Sequence, residues 1–126
     1  GLLSRVPHAS NTLTGEYDNG FPVFDADDHR AHRKNEWLVE TMQKVARVRF
    51  LVQEDTRTMA QSAIQFVLKP SAIISVLPNI TKMSELNEYV TAVDTPEITD
   101  EEQAKLDELW TNGFDLKEPE RQFREV

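Results

Sequence analysis

The middle of the chain reads Ser75-Val76-Leu77-Pro78-Asn79-Ile80-Thr81-Lys82-Met83-Ser84-Glu85-Leu86-Asn87-Glu88-Tyr89. It opens with an apolar run that stops at Pro78, and Met83 and Leu86 then recur at a helical step. This order predicts a short strand that leads into a helix. The first turn of such a helix carries backbone N–H groups without helical partners and the positive end of the helix dipole. The segment therefore has the physical requirements of a phosphate site.

The rest of the chain predicts one more strand and three more helices around this segment. Thr58 with Gln61, and Thr99 with Glu102, have the spacing of a capping box, which marks the start of a helix. Two strands separated by helices predict a parallel pair in a mostly helical protein of the α/β class. The predicted bounds within a domain of residues 1–114 are a strand at 1–6, a loop at 7–33, helices at 35–53 and 58–68, a strand at 72–77, and helices at 83–93 and 99–112. Residues 115–126 are predicted to form a polar tail.

The composition excludes several classes of partner and site. The 14 basic and 22 acidic residues give a net charge of −8, which argues against nucleic acid or a membrane surface as a partner. Cysteine is absent, so disulfides and thiolate metal sites are excluded and a cytoplasmic location is expected. No apolar run approaches the roughly 18 residues of a membrane-spanning helix.

Several segments of the chain resemble the motifs of one enzyme family, in the same order. They are residues 1–17, 27–30, 58–68, 75–89 and 98–102. The family's T-x-A-Q-x-A helix, for example, is matched by Thr58, Ala60, Gln61 and Ala63. Residues 75–89 are similar to the pattern V-I-P-G-T-T-K-x-x-R-L-x-E-N. These motifs identify a resemblance to the aldo-keto reductases.

The resemblance implies a fold and an activity. It places the chain at the seventh and eighth strand-helix units of a (β/α)8 TIM barrel, hence in the C-terminal part of such a protein. Members of the family are oxidoreductases that reduce a carbonyl to an alcohol by hydride transfer from NADPH or NADH. Their Asp, Tyr, Lys and His catalytic set lies in the first half of the barrel. We therefore expect a fragment that carries no catalytic residue and that results from truncation, proteolysis or gene fission.

The resemblance also implies a set of cofactor-binding positions. They are Pro7, His8 and Ser10 after the first strand, and Asn79, Ile80, Thr81, Lys82, Glu85, Glu88 and Tyr89 after the second. Glu85 stands where the family has the arginine that binds the 2′-phosphate of NADP, and Tyr89 stands where it has an asparagine. These departures predict a weakened preference for NADP, so the implied cofactor is NADP or NAD. An alternative interpretation is that Glu85 complements the helix N-terminus, as acidic residues often do.

Two further hypotheses follow from the same residues. Asp27, Asp28, His29 and His32 could be mistaken for metal ligands, but they fall in a loop for which the resemblance implies no metal, so no metal site is expected. The second hypothesis is a degenerate, non-catalytic interaction module derived from such a barrel. Its partner would be the missing N-terminal part of the barrel or a second copy, because a lone strand pair leaves strand edges and apolar helix faces uncovered.

Overall fold

Two strands and four α-helices make up the regular structure of residues 1–20, 22–32 and 35–116, which the computed structural model describes. In chain order they are β1 (Leu2–Arg5), α1 (Asn35–Arg47), α2 (Met59–Leu68), β2 (Ile73–Leu77), α3 (Met83–Val90) and α4 (Asp100–Thr111). Short 3-10 segments lie at His29–His32, Arg49–Leu51, Thr91–Asp94 and Gly113–Asp115. The predicted α/β class, with two parallel strands and about four helices, is confirmed. None of the helices in these ranges is both long and apolar enough to cross a bilayer.

The two strands form a parallel sheet. Leu2 pairs with Ile73 and Arg5 pairs with Leu77, with one irregularity after Leu2. The ladder is extended at both ends, since the Leu2 N–H donates to the carbonyl of Ala72 (2.7 Å) and the Val6 N–H donates to that of Leu77 (3.2 Å). The carboxyl ends of β1 and β2 therefore lie side by side.

Both predicted capping boxes are present. The Thr58 hydroxyl accepts from the Gln61 N–H at 3.2 Å, and the Gln61 side chain accepts from the Thr58 N–H at 2.9 Å. Thr99 and Glu102 make the same reciprocal pair, at 3.1 and 2.9 Å. The two boxes start α2 and α4 one residue after their threonines.

The helix predicted at 35–53 ends earlier. It stops at Arg47, and Arg49–Leu51 continues as a 3-10 segment. From Val48 onward the backbone N–H groups bind carbonyls three residues back, Val48 to Val45 at 3.2 Å and Leu51 to Val48 at 3.0 Å, so the chain tightens from the α-helical to the 3-10 pattern.

The helix predicted at 83–93 is also shorter, ending at Val90 before the 3-10 segment Thr91–Asp94. Here two glutamines of α2 donate to carbonyls near this end. A helix through residue 93 would use only that of Glu88, because the helical partner of the Ala92 carbonyl would be Pro96, which has no N–H. Gln61 donates to Glu88 (3.1 Å) and Gln65 donates to Ala92 (2.7 Å).

The described residues include part of the predicted loop and part of the predicted tail. The described part of the predicted loop 7–33 is a series of turns that contains the 3-10 segment His29–His32. Asp115 closes the last 3-10 segment, and residues 117–126 of the predicted tail lie outside the described residues.

The core consists of two apolar clusters around α2. The first joins the start of α2 to the segments before and after it and contains Val48, Leu51, Met59 and Ile98. The second joins α2 to the end of α3 and contains Ala60, Ile64, Tyr89 and Ala92. Large apolar side chains of the sheet remain half or more exposed, among them Leu2, Leu3 and Ile74. The chain therefore packs around α2 and leaves much of its sheet exposed.

Candidate cofactor-binding site

The candidate site lies at the carboxyl ends of the two strands. Because Arg5 is paired with Leu77, the loops that begin at Val6 and Pro78 leave the sheet at the same edge. In parallel α/β structures, ligands bind at this edge. All residues that the resemblance implicates follow one or the other strand end.

A tight turn after β1 holds the first group of candidate residues. Ala9, Ser10 and Asn11 all have positive φ angles, between 46° and 68°, which residues with side chains adopt rarely. The Leu13 N–H donates to the carbonyl of His8 (3.2 Å), and the Tyr17 hydroxyl donates to that of Ser10 (3.1 Å). These bonds fix the turn, with Pro7 and His8 buried.

His8 connects this turn to α2 and α3. Its side chain is 3% exposed, its Nε2 lies 3.1 Å from the Ala60 carbonyl, and its ring centroid lies 4.5 Å from that of Tyr89. A carbonyl can only accept, so Nε2 carries the proton that it donates. Burial lowers the pKa of His8, although the Ala60 carbonyl, Glu88 and Glu85 act in the opposite direction.

The resemblance implies that Tyr89 contacts the cofactor, but in the structure Tyr89 is part of the core. The residue is 7% exposed and packs with Ala60, Ile64 and Ala92. The pKa of Tyr89 is raised to about 12, mainly by burial and in addition by the negative charges of Glu85, Glu88 and Glu16. The Tyr89 ring therefore packs against the ring of His8.

Glu85 caps the start of α3. Its Oε2 accepts from the Thr81 N–H (2.7 Å), the Thr81 hydroxyl (3.1 Å) and the Lys82 N–H (3.1 Å). These bonds, with the Thr81 N–H as the largest contribution, lower the pKa of Glu85. The interpretation that Glu85 complements the helix N-terminus thus agrees with the structure. Glu85 thus occupies two of the amides, those of Thr81 and Lys82, that the phosphate site predicted here could use.

Glu88 has a partner that the sequence did not reveal. The Thr58 hydroxyl donates to Glu88 Oε1 at 2.6 Å while accepting from the Gln61 N–H. The capping-box spacing identified Thr58 as a helix start, but Thr58 and Glu88 are 30 positions apart, so the sequence does not show their contact. Glu88 therefore links α3 to the start of α2.

The remaining candidates are exposed. Asn79, Ile80, Thr81 and Lys82 follow β2 and face solvent. The structure thus separates the predicted site into a buried group around His8 and Tyr89, a carboxylate group of Glu85 and Glu88, and an exposed group at 79–82. Ser10 belongs to none of these groups, and its carbonyl accepts a hydrogen bond from the Tyr17 hydroxyl.

Replacing His8 by glutamine is expected to change how the stability of the chain depends on pH. Below about 6.5 the unfolded chain takes up a proton at His8 that the folded chain resists, so the free energy of unfolding falls as the pH drops from 6.5 toward the lowered pKa of the folded state. The slope contributed by His8 is at most about 1.4 kcal/mol per pH unit.

Urea unfolding between pH 7.5 and 5.5 measures this effect. His8→Gln should flatten the profile, whereas the matched control His32→Gln, at an exposed position, should leave it as in the unchanged chain. An identical slope in the chain and in His8→Gln would contradict the assignment of a neutral, buried His8.

Asp28, one of the residues that could be mistaken for metal ligands, is engaged in an ion pair. Asp28 binds the Arg30 side chain with both carboxylate oxygens, at distances of 2.6 to 3.1 Å, and this contact holds the pKa of Asp28 well below its ordinary value. Arg30 also donates to the Tyr17 hydroxyl at 2.7 Å. Within residues 1–20, 22–32 and 35–116, no cluster of three or more His, Cys, Asp or Glu side chains is placed to hold a metal ion.

Comparison with known proteins places these features in a family. Residues 1–111 match the model of the aldo/keto reductase family. The chain is 31% identical over 119 residues to an L-glyceraldehyde 3-phosphate reductase of Escherichia coli O157:H7, which covers 90% of the chain and 34% of that protein. It is 32% identical over 98 residues to a probable voltage-gated potassium channel subunit beta of Arabidopsis thaliana, covering 75% of the chain and 30% of that protein. The chain spans about one third of the length of these relatives and belongs to the aldo/keto reductase family.

Proposed function

We propose that the chain is the cofactor-binding C-terminal part of an NAD(P)H-dependent aldo-keto reductase. The observation that carries this proposal is the shared edge formed by the ends of β1 and β2, from which both candidate loops leave. In the whole protein the reaction would be reduction of a carbonyl to an alcohol, with the hydride supplied by the nicotinamide cofactor. The partners would be the nicotinamide dinucleotide and the remaining part of the barrel.

The exposed group at 79–82 supports the binding of a dinucleotide. Lys82 carries an ammonium group at the first turn of α3, and Asn79 and Thr81 add polar side chains beside it. A diphosphate is an anion that such groups hold by charge-assisted hydrogen bonds. His8 and Tyr89 would contribute indirectly, because they hold the turn at residues 7–14 against α2 and α3. The role of this chain is then to bind and orient the cofactor.

Replacing Lys82 by alanine is expected to weaken the binding of both NAD and NADP by about tenfold, since one charge-assisted contact of roughly 1.5 kcal/mol is lost. NADP should lose more than NAD because it carries an additional phosphate. Calorimetric titration of the chain with each dinucleotide measures the effect. The matched control is Lys44→Ala, which removes an equal charge from α1, where Lys44 pairs with Glu40. Equal affinities in Lys82→Ala and Lys44→Ala would contradict the site.

A second candidate function is a non-catalytic interaction module. Two observations favour it: Glu85 occupies the Thr81 and Lys82 amides just before α3, and one of the relatives is described as a probable channel subunit beta. The partner would be the rest of the barrel or a second copy, which would cover the exposed sheet residues. Concentration-dependent association in light scattering, without dinucleotide binding in the titrations, would favour this function over the first. The expected absence of nucleic-acid and membrane partners and the cytoplasmic location stay predictions.

A further inference from the structure

An open groove lies at the amino end of β2, on the side of the sheet opposite the candidate cofactor site. It forms where α2 ends, β2 begins and α4 passes beside them, and its volume is about 470 Å³. Ligand clefts in proteins usually have volumes of about 300–1,000 Å³ and a mainly apolar lining. The lining here consists of Phe66, Val67, Lys69, Pro70, Ile73 and Gln103. Because Phe66 is 46% exposed, the groove presents an uncovered aromatic side chain.

The basic side chain of this lining, Lys69, is already engaged. Its ammonium group donates to the Ile98 carbonyl at 3.4 Å and lies 3.9 Å from the Asp100 carboxylate. An anionic ligand would therefore have to compete with Asp100 for Lys69. The Asp100 side chain is fully exposed, so it remains accessible to a second cation.

One face of α4 continues the groove. Asp100, Gln103, Asp107 and Trp110 follow one another at steps of three and four residues, so they share this face, which we call the acidic face of α4. Gln103 lines the groove, and its side chain donates to Asp107 at 2.9 Å. Trp110 is 78% exposed and lies two turns beyond Gln103, a distance of about 10 Å along the helix.

Charge indicates which kind of partner fits this surface. α4 carries five carboxylates and one lysine, and that lysine, Lys105, lies over the Phe50 ring, 4.1 Å from its centroid. Carboxylates bind arginine and lysine, and an indole ring attracts the same cations through its face. A second copy of the chain fits less well, because each copy has a net charge of −8 and like charges would meet.

We propose that the groove and the acidic face of α4 form a docking surface for a basic amphipathic segment of another protein. The apolar side chains of that segment fill the groove. Its arginine or lysine side chains bind Asp100 and Asp107 and stack on Trp110. This interaction does not depend on the proposed function, since the candidate cofactor residues follow the opposite, carboxyl ends of the strands.

The first test is a calorimetric titration of the 126-residue chain with a synthetic helical peptide that has leucines on one face and arginines beside them. The titration is made at about 0.15 M salt, where exposed charges more than about 8 Å apart are largely screened. Saturable binding is expected. Glutamates in place of the arginines should abolish it, and alanines in place of the leucines should weaken it at least about tenfold because less apolar surface is buried.

The second test changes exposed residues of the chain, so the fold is retained. The double variant Asp100→Asn with Asp107→Asn should weaken binding of the arginine peptide about fivefold to tenfold, and Trp110→Ala should weaken it about fivefold. The matched control is Glu101→Gln with Glu108→Gln, which removes the same charge from the rest of α4. Its affinity should stay within about twofold of that of the unchanged chain.

Three outcomes would overturn the proposal. One is the absence of saturable binding of the arginine peptide up to about 1 mM, or equal binding of the glutamate peptide. Another is an equal loss of affinity in the two double variants, which would mean that the peptide responds only to net charge. The third is self-association of the chain in light scattering that Trp110→Ala abolishes, which would show that a second copy occupies this surface.

Discussion

Replacing Arg57 by methionine is expected to lower the free energy of unfolding by about 3–5 kcal/mol, a large part of the 5–15 kcal/mol that is usual for a domain. The side chain is 1% exposed and uses all five of its N–H groups. The Nε and one Nη2 hydrogen bind the Leu51 carbonyl, and the two Nη1 hydrogens bind those of Pro96 and Glu97 at 2.9 Å. The remaining Nη2 hydrogen binds Glu102 at 2.5 Å.

The effect is large because one buried side chain, that of Arg57, binds the carbonyls of Leu51, Pro96 and Glu97 and the carboxylate of Glu102. Methionine fills a similar volume but leaves the carbonyls and the Glu102 carboxylate without these donors in a partly buried place. Burial tends to raise the pKa of Glu102, but the hydrogen bonds from the Thr99 N–H and from Arg57 outweigh it, so the pKa is lowered. Arg57→Met removes the hydrogen bond from Arg57. The ionised form of Glu102 is then less stabilised against burial.

Urea unfolding followed by circular dichroism measures the loss. Arg57→Lys keeps the charge but offers three donors without the planar fork, so an intermediate loss of about 1–3 kcal/mol is expected. The matched control is Arg47→Met, at an exposed position of α1, which should change the stability by no more than about 0.5 kcal/mol. A loss below about 1 kcal/mol in Arg57→Met would show that the network is not needed for the fold.

The second large effect concerns activity: the 126-residue chain by itself is expected to show no carbonyl reductase turnover. A tyrosine that acts as a general acid needs a pKa near the working pH. Both tyrosines of the chain have raised pKa values, Tyr89 at about 12 and Tyr17 through burial. The Tyr17 hydroxyl is also engaged, since it donates to the Ser10 carbonyl and accepts from Arg30.

Incubation of the chain with NADH or NADPH and a panel of aldehydes, followed by cofactor absorbance, tests this expectation. The rate should equal that of buffer, while the Tyr17→Phe and Tyr89→Phe variants should give the same result. Sustained cofactor oxidation in proportion to protein concentration, lost in one of these variants, would mean that the chain carries catalytic groups of its own.

Local patterns in the sequence predicted much of the fold. The apolar run before Pro78 predicted β2, and the capping-box pairs Thr58–Gln61 and Thr99–Glu102 predicted the starts of two helices. Such features depend on residues three or four positions apart, so the sequence displays them directly. The family resemblance likewise follows from ordered motifs and is confirmed over residues 1–111.

Helix ends and the environment of the candidate site depended on contacts over long separations. Gln61 of α2 binds the Glu88 carbonyl near the end of α3, and that helix is shorter than its apolar periodicity predicted. A periodicity records which face is buried. It does not record which side chain will compete for a backbone carbonyl.

The sequence by itself determined the family, the order of the elements and the residues that follow each strand. Only the tertiary structure decided that His8 and Tyr89 are buried against one another and that Glu88 binds Thr58. Glu85 stands between these cases, because its distance from Thr81 and Lys82 is short in sequence and its capping role could be proposed in advance. The burial of His8 could not be proposed in advance. It depends on packing around α2, which brings residues 8, 60 and 89 together.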